Sequence, residues 1–371
     1  MRTFVLASGL ALLTSIALAA GAPEILLRDF RPVADLSLKE TRVQRAKYPV
    51  IDFHTHINDA LHTTGEWIPP EKLVAGMDRL NISKLVILTG KWGDELQKVI
   101  DYTVKPFPNR FVVFTQLDYA QIDDPQYATR MVKQIEDAYS RGARGLKFLK
   151  DFGLTVRRRN GELVKIDDER FNPIWEACAR MHLPVAIHTA DPDAFFKPVN
   201  EQNERIHELI ESPTWSYADS RKFPTKKALI AARDRIFARN PKTTFIAVHM
   251  ANRPEDLDEV SSLMRKYPNV IVDFGAREAE LGRQPRRALQ FFEEFQDRIL
   301  FGTDWGFRTE QYQNYFRWLE SDDEYFKYWD WPAQGMWMIY GMKLPDLILE
   351  KIYHKNAERV LGYTEIPGNS G

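Results

Sequence analysis

Eight short apolar runs, each followed by a longer amphipathic or mixed stretch, constrain the fold of this chain more than any other feature. The runs cover residues 50–53, 84–88, 111–115, 145–149, 185–188, 244–248, 270–274 and 299–302. Apolar segments this short, bounded by polar or turn-forming residues, read as buried strands. Between them, residues 125–139, 172–181, 226–238, 254–266 and 285–295 carry a helical period. Alternating strand and helix implies parallel strands with helical crossovers. Eight such strands over roughly 250 residues fit an α/β fold of the (β/α)8 TIM-barrel type better than an open sheet. No glycine-rich phosphate loop follows the first strand, which argues against a dinucleotide-binding sheet. The simplest organisation is one barrel over residues 48–362, an arm over 20–47 before it and a tail over 363–371.

Three insertions interrupt the pattern, after strands 4, 5 and 8. Residues 155–166 read as a hairpin turning at Asn160-Gly161, the favoured pair for a two-residue loop. Its Arg157-Arg158-Arg159 run is a solvated edge, the usual fate of a charge run. Residues 190–224 carry Phe195, Phe196, Trp215 and Tyr217. Residues 305–340 carry Trp318, Trp329, Trp331 and Trp337. Loops after barrel strands lie on the active-site face, so both aromatic insertions suit a substrate lid. For the third, a buried helical extension or a homodimer interface is the stronger expectation.

The first residues pair Arg2 with an apolar run through Leu18 and then Ala17-Leu18-Ala19, the pattern of a secretory signal peptide over 1–19. Export places the protein in the periplasm or outside the cell. The run is short for a transmembrane helix and is interrupted by Gly9, Thr14 and Ser15. The single cysteine, Cys178, excludes an internal disulfide and reads as a small buried hydrophobe. With 371 residues, 44% of them hydrophobic, core packing alone can hold such a chain together. A formal net charge of −1 gives no general attraction to nucleic acid or anionic membrane. The expected partner is a small-molecule substrate.

The chemistry gathers at one end of the strands. The first ends in His54-Thr55-His56, and residues i and i+2 of a strand share a face, so two imidazoles point one way. Neutral imidazole is the commonest ligand of zinc and related metals. Strand four supplies Lys147, strand five ends in His188, strand six in His249 and strand eight in Asp304. In a parallel barrel these carboxyl ends meet at a single mouth. Core packing gives no reason for such residues to collect there.

The ordered series His-x-His, Lys, His, His, Asp resembles the amidohydrolase superfamily of metal-dependent barrel enzymes. More narrowly, it is similar to the amidohydrolase-related branch that includes aminocarboxymuconate-semialdehyde decarboxylase and resorcylate decarboxylases. Phe301-Gly302-Thr303-Asp304-Trp305 resembles that branch's strand-eight signature, with Gly306 where a proline often stands. Residues 351–362 resemble its closing helix, so the likeness spans about 48–362. The resemblance implies that His54, His56, His188 and Asp304 bind one divalent metal, zinc first and manganese second. It also implies Asp304 as general base and His249 as the group that polarises a substrate oxygen or delivers a proton. In binuclear members a carboxylated lysine on strand four bridges two metals; Lys147 is the residue for that role, with substrate contact or a simple pairing with an acid the stronger expectation here.

Two further residues are candidates for substrate contact. His62 follows the first strand, and Arg277 ends the seventh, where a guanidinium can clamp a carboxylate or pair with Glu278 or Glu280. His182 reads as structural and His207 as a surface residue. The leading expectation is hydrolysis of an amide, lactone or ester by metal-activated water. The alternative is metal-dependent, non-oxidative decarboxylation of an aromatic or unsaturated acid.

Overall fold

The computed structural model describes residues 24–26, 29–57, 67–329 and 334–362. The signal-peptide segment, His62, Trp331 and the tail lie outside the described residues. The chain forms two units, Met1–Leu36 and Ser37–Gly371. In the first, the described residues form no strand, and Ile25, Phe30, Val33 and Leu36 are exposed. Everything that follows concerns the second.

All eight expected strands form: β1 Val50–Thr55, β2 Ile82–Ile87, β3 Phe111–Val113, β4 Leu146–Phe148, β5 Val185–Ile187, β6 Phe245–Ala247, β7 Val270–Asp273 and β8 Ile299–Leu300. They pair in parallel, β1 to β3 in sequence and β4 to β8 in sequence. Two seams join the sets. At one, Thr115 bridges Leu146, and Lys147 N donates to Thr115 O at 2.8 Å. At the other, Thr55 bridges Trp305, and Asp304 N donates to His54 O at 2.7 Å. The result is a (β/α)8 barrel.

Each strand is followed by a main helix: α1 Pro70–Leu80, α2 Gly93–Tyr102, α3 Tyr127–Arg141, α4 Asn172–Arg180, α5 Lys226–Arg239, α6 Leu257–Lys266, α7 Pro285–Glu294 and α8 Thr309–Glu320. Their starts follow local chemistry. Thr225 caps α5 by accepting from Ala228 N, and Asp256 caps α6 by accepting from Asp258 N and Glu259 N. Pro70 and Pro285 open α1 and α7, where a missing N–H costs nothing.

Strand alternation divides the core. Val50, Leu85, Ile87, Val113, Leu146, Val185, Ile187, Val270, Val272 and Ile299 face the helices, whereas Ile51, Val86, Val112, Ala186, Ile246, Ile271 and Leu300 fill the barrel. Continuing that period up the strands directs Lys147, His188 and Asp273 inward, one layer above the apolar filling.

The insertions depart from expectation in three places. The hairpin over 155–166 turns through three residues, not two. Arg158 N donates to Glu162 O at 2.8 Å, Gly161 N donates back to Arg158 O at 2.9 Å, and Gly161 takes φ +87°. A glycine at that position closes a three-residue loop. The third insertion begins with α8, the barrel's own eighth helix. Trp318 on α8 is fully buried and meets Phe274 edge-on at 5.5 Å. The second insertion holds a small core of its own around Phe195, Leu209 and Tyr217. His207 within it is buried, not a surface residue. Cys178 is buried as well, and burial pushes its thiol up to about 12.

Candidate metal centre

The pleat alone does not place the histidines. Register breaks between Asp52 and Thr55 in β1, so Phe53 joins the barrel filling while the adjacent His54 also reaches the mouth. An irregularity of this kind re-aims a side chain that strict alternation would send outward. Asp52 fixes the break from below. Its Oδ1 accepts from His54 N at 3.0 Å and Thr303 N at 3.2 Å, and its Oδ2 from Thr303 Oγ1 at 2.6 Å and Tyr312 OH at 2.7 Å. Burial, against these four hydrogen bonds, still raises the Asp52 carboxyl to about 6.

Close approach explains one glycine of the strand-eight signature. A Cβ on Gly302 would lie 2.8 Å from His54 Cβ, nearer than two carbons can stand. Gly302→Ala is therefore expected to displace His54, lower stability by ~1–3 kcal/mol and weaken metal uptake. Thermal melts and metal titration of the variant check this; a variant with wild-type metal affinity would contradict it.

His54 and His56 converge on one carboxylate. The Nε2 atoms of both lie 2.9 Å from Asp304 Oδ1. His249 Nε2 lies 3.8 Å from Asp304 Oδ2. Among the described residues, His54, His56 and Asp304 form one group of ligand atoms close enough to hold a cation, and His54, His249 and Asp273 form another.

Tautomers follow from the acceptors. His54 Nδ1 faces the Asp273 carboxylate at 3.0 Å, so that nitrogen carries the hydrogen. The neutral ring then presents a bare Nε2 to Asp304. His249 Nδ1 meets Gly275 O at 2.7 Å, a pure acceptor, so its Nε2 is also bare in the neutral ring. That nitrogen is buried and has no hydrogen-bond partner among the described residues. Lone pairs of two nitrogens and a carboxylate aimed at one another repel unless a positive charge sits between them. This donor set fits a divalent cation of the zinc or manganese kind.

Protonation agrees. Burial outweighs the Asp304 charge and lowers His56 to about 4. Burial likewise lowers His188 to about 4, and it carries His249 well below the usual imidazole range. These rings are neutral and ligand-ready at pH 7. Burial also disfavours a charged His54, but Asp273 and Asp304 on either side outweigh it and raise the ring. Burial works to raise Asp304, yet the neighbouring His54 and His249 and the close His54 and His56 rings hold it well below the carboxylate range.

His249 stands where it does through unusual backbone. His249, Met250, Ala251 and Asn252 all have φ between +54° and +58°. Left-handed conformation costs a non-glycine residue ~1–2 kcal/mol. Side chains hold the turn: His249 N donates to Asp273 Oδ1 at 3.0 Å, Thr189 N to Asn252 Oδ1 at 3.1 Å, and Arg233 to Ala251 O. Asp304 is left-handed too, at φ +65°. Strain of this kind gathers at functional sites.

The remaining candidates sort themselves. Lys147 is buried with Nζ 3.3 Å from His54 Nε2, and burial lowers it to about 8 against the pull of Asp273 and Asp304. His188 packs beside His249, ring centroids 4.4 Å apart. Its Nε2, however, faces Ala190 O at 3.1 Å and Asp191 Oδ1 at 3.2 Å, and it belongs to neither ligand group. Asp191 in turn binds Lys150 Nζ at 2.6 Å. Arg277 is buried and pairs with neither neighbouring acid: Glu278 accepts from Tyr315 OH at 2.5 Å, and Glu280 takes Arg205.

Sequence reasoning missed Asp273. It holds His54 by one oxygen while the other accepts from His249 N and Gly275 N, each at 3.0 Å. Its signal was an acid ending an apolar strand, as at Asp304.

Burial, partly offset by Tyr315, lifts Glu278 from 4.5 to about 7. A carboxyl raised on folding favours the folded state at low pH and costs stability as pH rises from 4.5 through 7. Glu278→Gln should thus be more stable than wild type at pH 8, by up to ~3 kcal/mol, with the gap closing towards pH 4.5. Denaturant melts across that range test it; a constant gap would refute it.

Solved structures share the fold. A TIM-barrel protein of Bordetella bronchiseptica is 17% identical, with a TM-score of 0.53 over 85% of this chain and 98% of its own. A 2,6-dihydroxybenzoate decarboxylase, complexed with 2,6-dihydroxybenzoate, is 15% identical, with a TM-score of 0.53 over 85% and 99%. A dihydroxybenzoic acid decarboxylase of Polaromonas sp. JS666, with bound manganese and 2-nitroresorcinol, is 14% identical, with a TM-score of 0.55 over 85% and 97%. No curated protein matches the chain at a significant level. The amidohydrolase family model matches residues 51–363, nearly the whole barrel and its mouth. By that match, the chain belongs to the amidohydrolase family.

Proposed function

We propose that this amidohydrolase-family enzyme is a metal-dependent carboxy-lyase acting on a small aromatic or unsaturated acid, with metal-dependent hydrolysis as the rival reading. The observation that carries the metal assignment is the convergence of His54 Nε2 and His56 Nε2 on one Asp304 oxygen. His54, His56 and Asp304 would hold the cation, with the bare His249 Nε2 beside it. When bound, the metal would polarise substrate oxygens as a Lewis acid.

Decarboxylation breaks the C–COO⁻ bond, leaves the electron pair on carbon and needs one proton there. His249 is the group placed to carry it. Its Nδ1 is fixed as a donor to Gly275 O, so the bare Nε2 of the neutral ring is the atom that would take a proton from a substrate hydroxyl or a water molecule and pass it to the carbon that has lost CO₂, leaving the phenolate or hydroxide to be reprotonated by solvent. The decarboxylases that share the fold, one with manganese, support this reading. An observation also favours hydrolysis: Asp304 is held ionised, as a base for water must be. The expectation that neutral His249 stabilises an oxyanion is weaker, because a bare Nε2 accepts and does not donate.

A panel of aromatic and unsaturated acids, esters and amides separates the two. The carboxy-lyase releases CO₂ with no ¹⁸O from labelled water in the organic product. Label in the product without CO₂ would overturn the proposal in favour of hydrolysis. Export by the leading segment belongs to the same proposal, and a periplasmic fraction lacking the protein would remove it.

A further inference from the structure

The barrel mouth buries a cation that forms no ion pair among the described residues. Arg277, just after β7, is 5% exposed. Its Nη1 donates to Ala276 O at 2.6 Å, and its Nε has no partner among the described residues. The acids next to it in sequence are turned elsewhere, Glu278 to Tyr315 and Glu280 to Arg205. Arg205 repels it, and the opposing charges that act on it, Asp191, Asp304 and Glu255, make no ion pair with it. Leaving a buried charge uncompensated costs several kcal/mol. A fold that keeps one at its active-site face keeps it for something that arrives.

A second side chain meets Arg277 there. Gln334, from the third insertion, donates Nε2 to the same Ala276 O at 3.2 Å. Because that oxygen only accepts, the Gln334 amide is oriented, and its buried Oε1 is an acceptor without a partner. One carbonyl thus gathers a cationic donor and a neutral acceptor, both unused. The loop is tied to the metal centre, since Ala276 N donates to Thr303 O at 3.0 Å, one residue before Asp304. Arg277 also acts electrostatically on His249.

We infer that Arg277 and Gln334 form a recognition site for a second, non-reacting carboxylate of the substrate, one flanked by a hydroxyl or N–H group that Gln334 accepts. The complement of a guanidinium edge is a planar anion, and Arg serves this better than Lys. The inference deepens the proposed function and rests on it for where the reacting group sits, but not for the binding itself. The substrate would therefore be a diacid or an acid of like charge, and one carboxylate would remain on the product.

Butyrate, succinate and malate share a four-carbon chain and differ by a second carboxylate and then by a hydroxyl. Calorimetry on manganese-loaded protein is expected to give succinate ~10-fold tighter binding than butyrate, and malate tighter again. Arg277→Met should abolish the advantage of succinate while retaining manganese and a melting temperature at or above that of wild type. Gln334→Met should keep that advantage and lose only the preference for malate over succinate. Equal binding of butyrate and succinate by wild type, or an undiminished succinate preference in Arg277→Met, would overturn the inference. In His56→Ala, which lacks the metal centre, succinate binding should still depend on Arg277. If no CO₂ is released in the reaction assay while this dependence persists, the reaction assignment fails and the carboxylate site stands.

Discussion

Asp304→Asn should strip the centre of its metal and lower kcat/KM by ~10³-fold while leaving the fold intact. The carboxylate is the one group that both Nε2 atoms of the His-x-His pair approach, at 2.9 Å each. An amide of the same size removes the negative charge and offers the centre either a weaker oxygen or an N–H. Asparagine is also the appropriate replacement for the backbone, because Asp304 sits at φ +65°, which Asn tolerates and Ala does not. Metal analysis, a steady-state assay on the identified substrate and a thermal melt make the test. Chelation of the wild type should mimic the variant, and added manganese or zinc should restore only the wild type. Stoichiometric metal in Asp304→Asn would sink the assignment.

Asp273 should matter almost as much, though it need not touch the metal. Asp273→Ala leaves His54 Nδ1, His249 N and Gly275 N without their acceptor in a fully buried place. A loss of ~3–5 kcal/mol in stability is expected from breaking such a buried, charge-assisted set. Asp273→Asn separates structure from tuning. Its oxygen can still accept from His249 N and Gly275 N, so stability falls little. Its NH₂ group then faces His54 Nδ1 and favours the tautomer with hydrogen on Nε2, where a ligand lone pair is needed. Metal affinity should drop ~10–100-fold, the usual cost of losing a carboxylate behind a ligating histidine. Unfolding curves and metal titration of the two variants check this. If Asp273→Asn bound metal like wild type, the orienting role would be wrong.

The two residues differ in how far strand period alone reveals their aim, and that bears on how legible the site was. The eight strands were readable because each is a short apolar run in a chain whose intervening segments are amphipathic. Their order around the barrel follows from parallel pairing. Lys147 and His188 could be placed at the mouth because they continue a simple alternation above Ala186 and its neighbours. Asp273 obeys the same rule, two residues beyond Ile271 on β7. The start of the third insertion is as aromatic as a lid, and only its packing against Phe274 marks it as the barrel's own buried helix, α8.

Composition and period by themselves determined the barrel, the end of it that carries chemistry, and most of the polar residues collected there. Those are properties of short-range pattern, and a one-dimensional string retains them. The aim of His54, His249 and Asp304 was decided only in three dimensions. Each departs from the regular strand, through a register break or a left-handed residue, and such conformations persist only because distant groups hold them. The same holds for the His188 ring, turned to Asp191, and for Arg277, which pairs with neither of the two acids that follow it closely in the chain. Which partner a buried polar group takes is set by competition among neighbours that folding brings together, and sequence adjacency does not encode that competition.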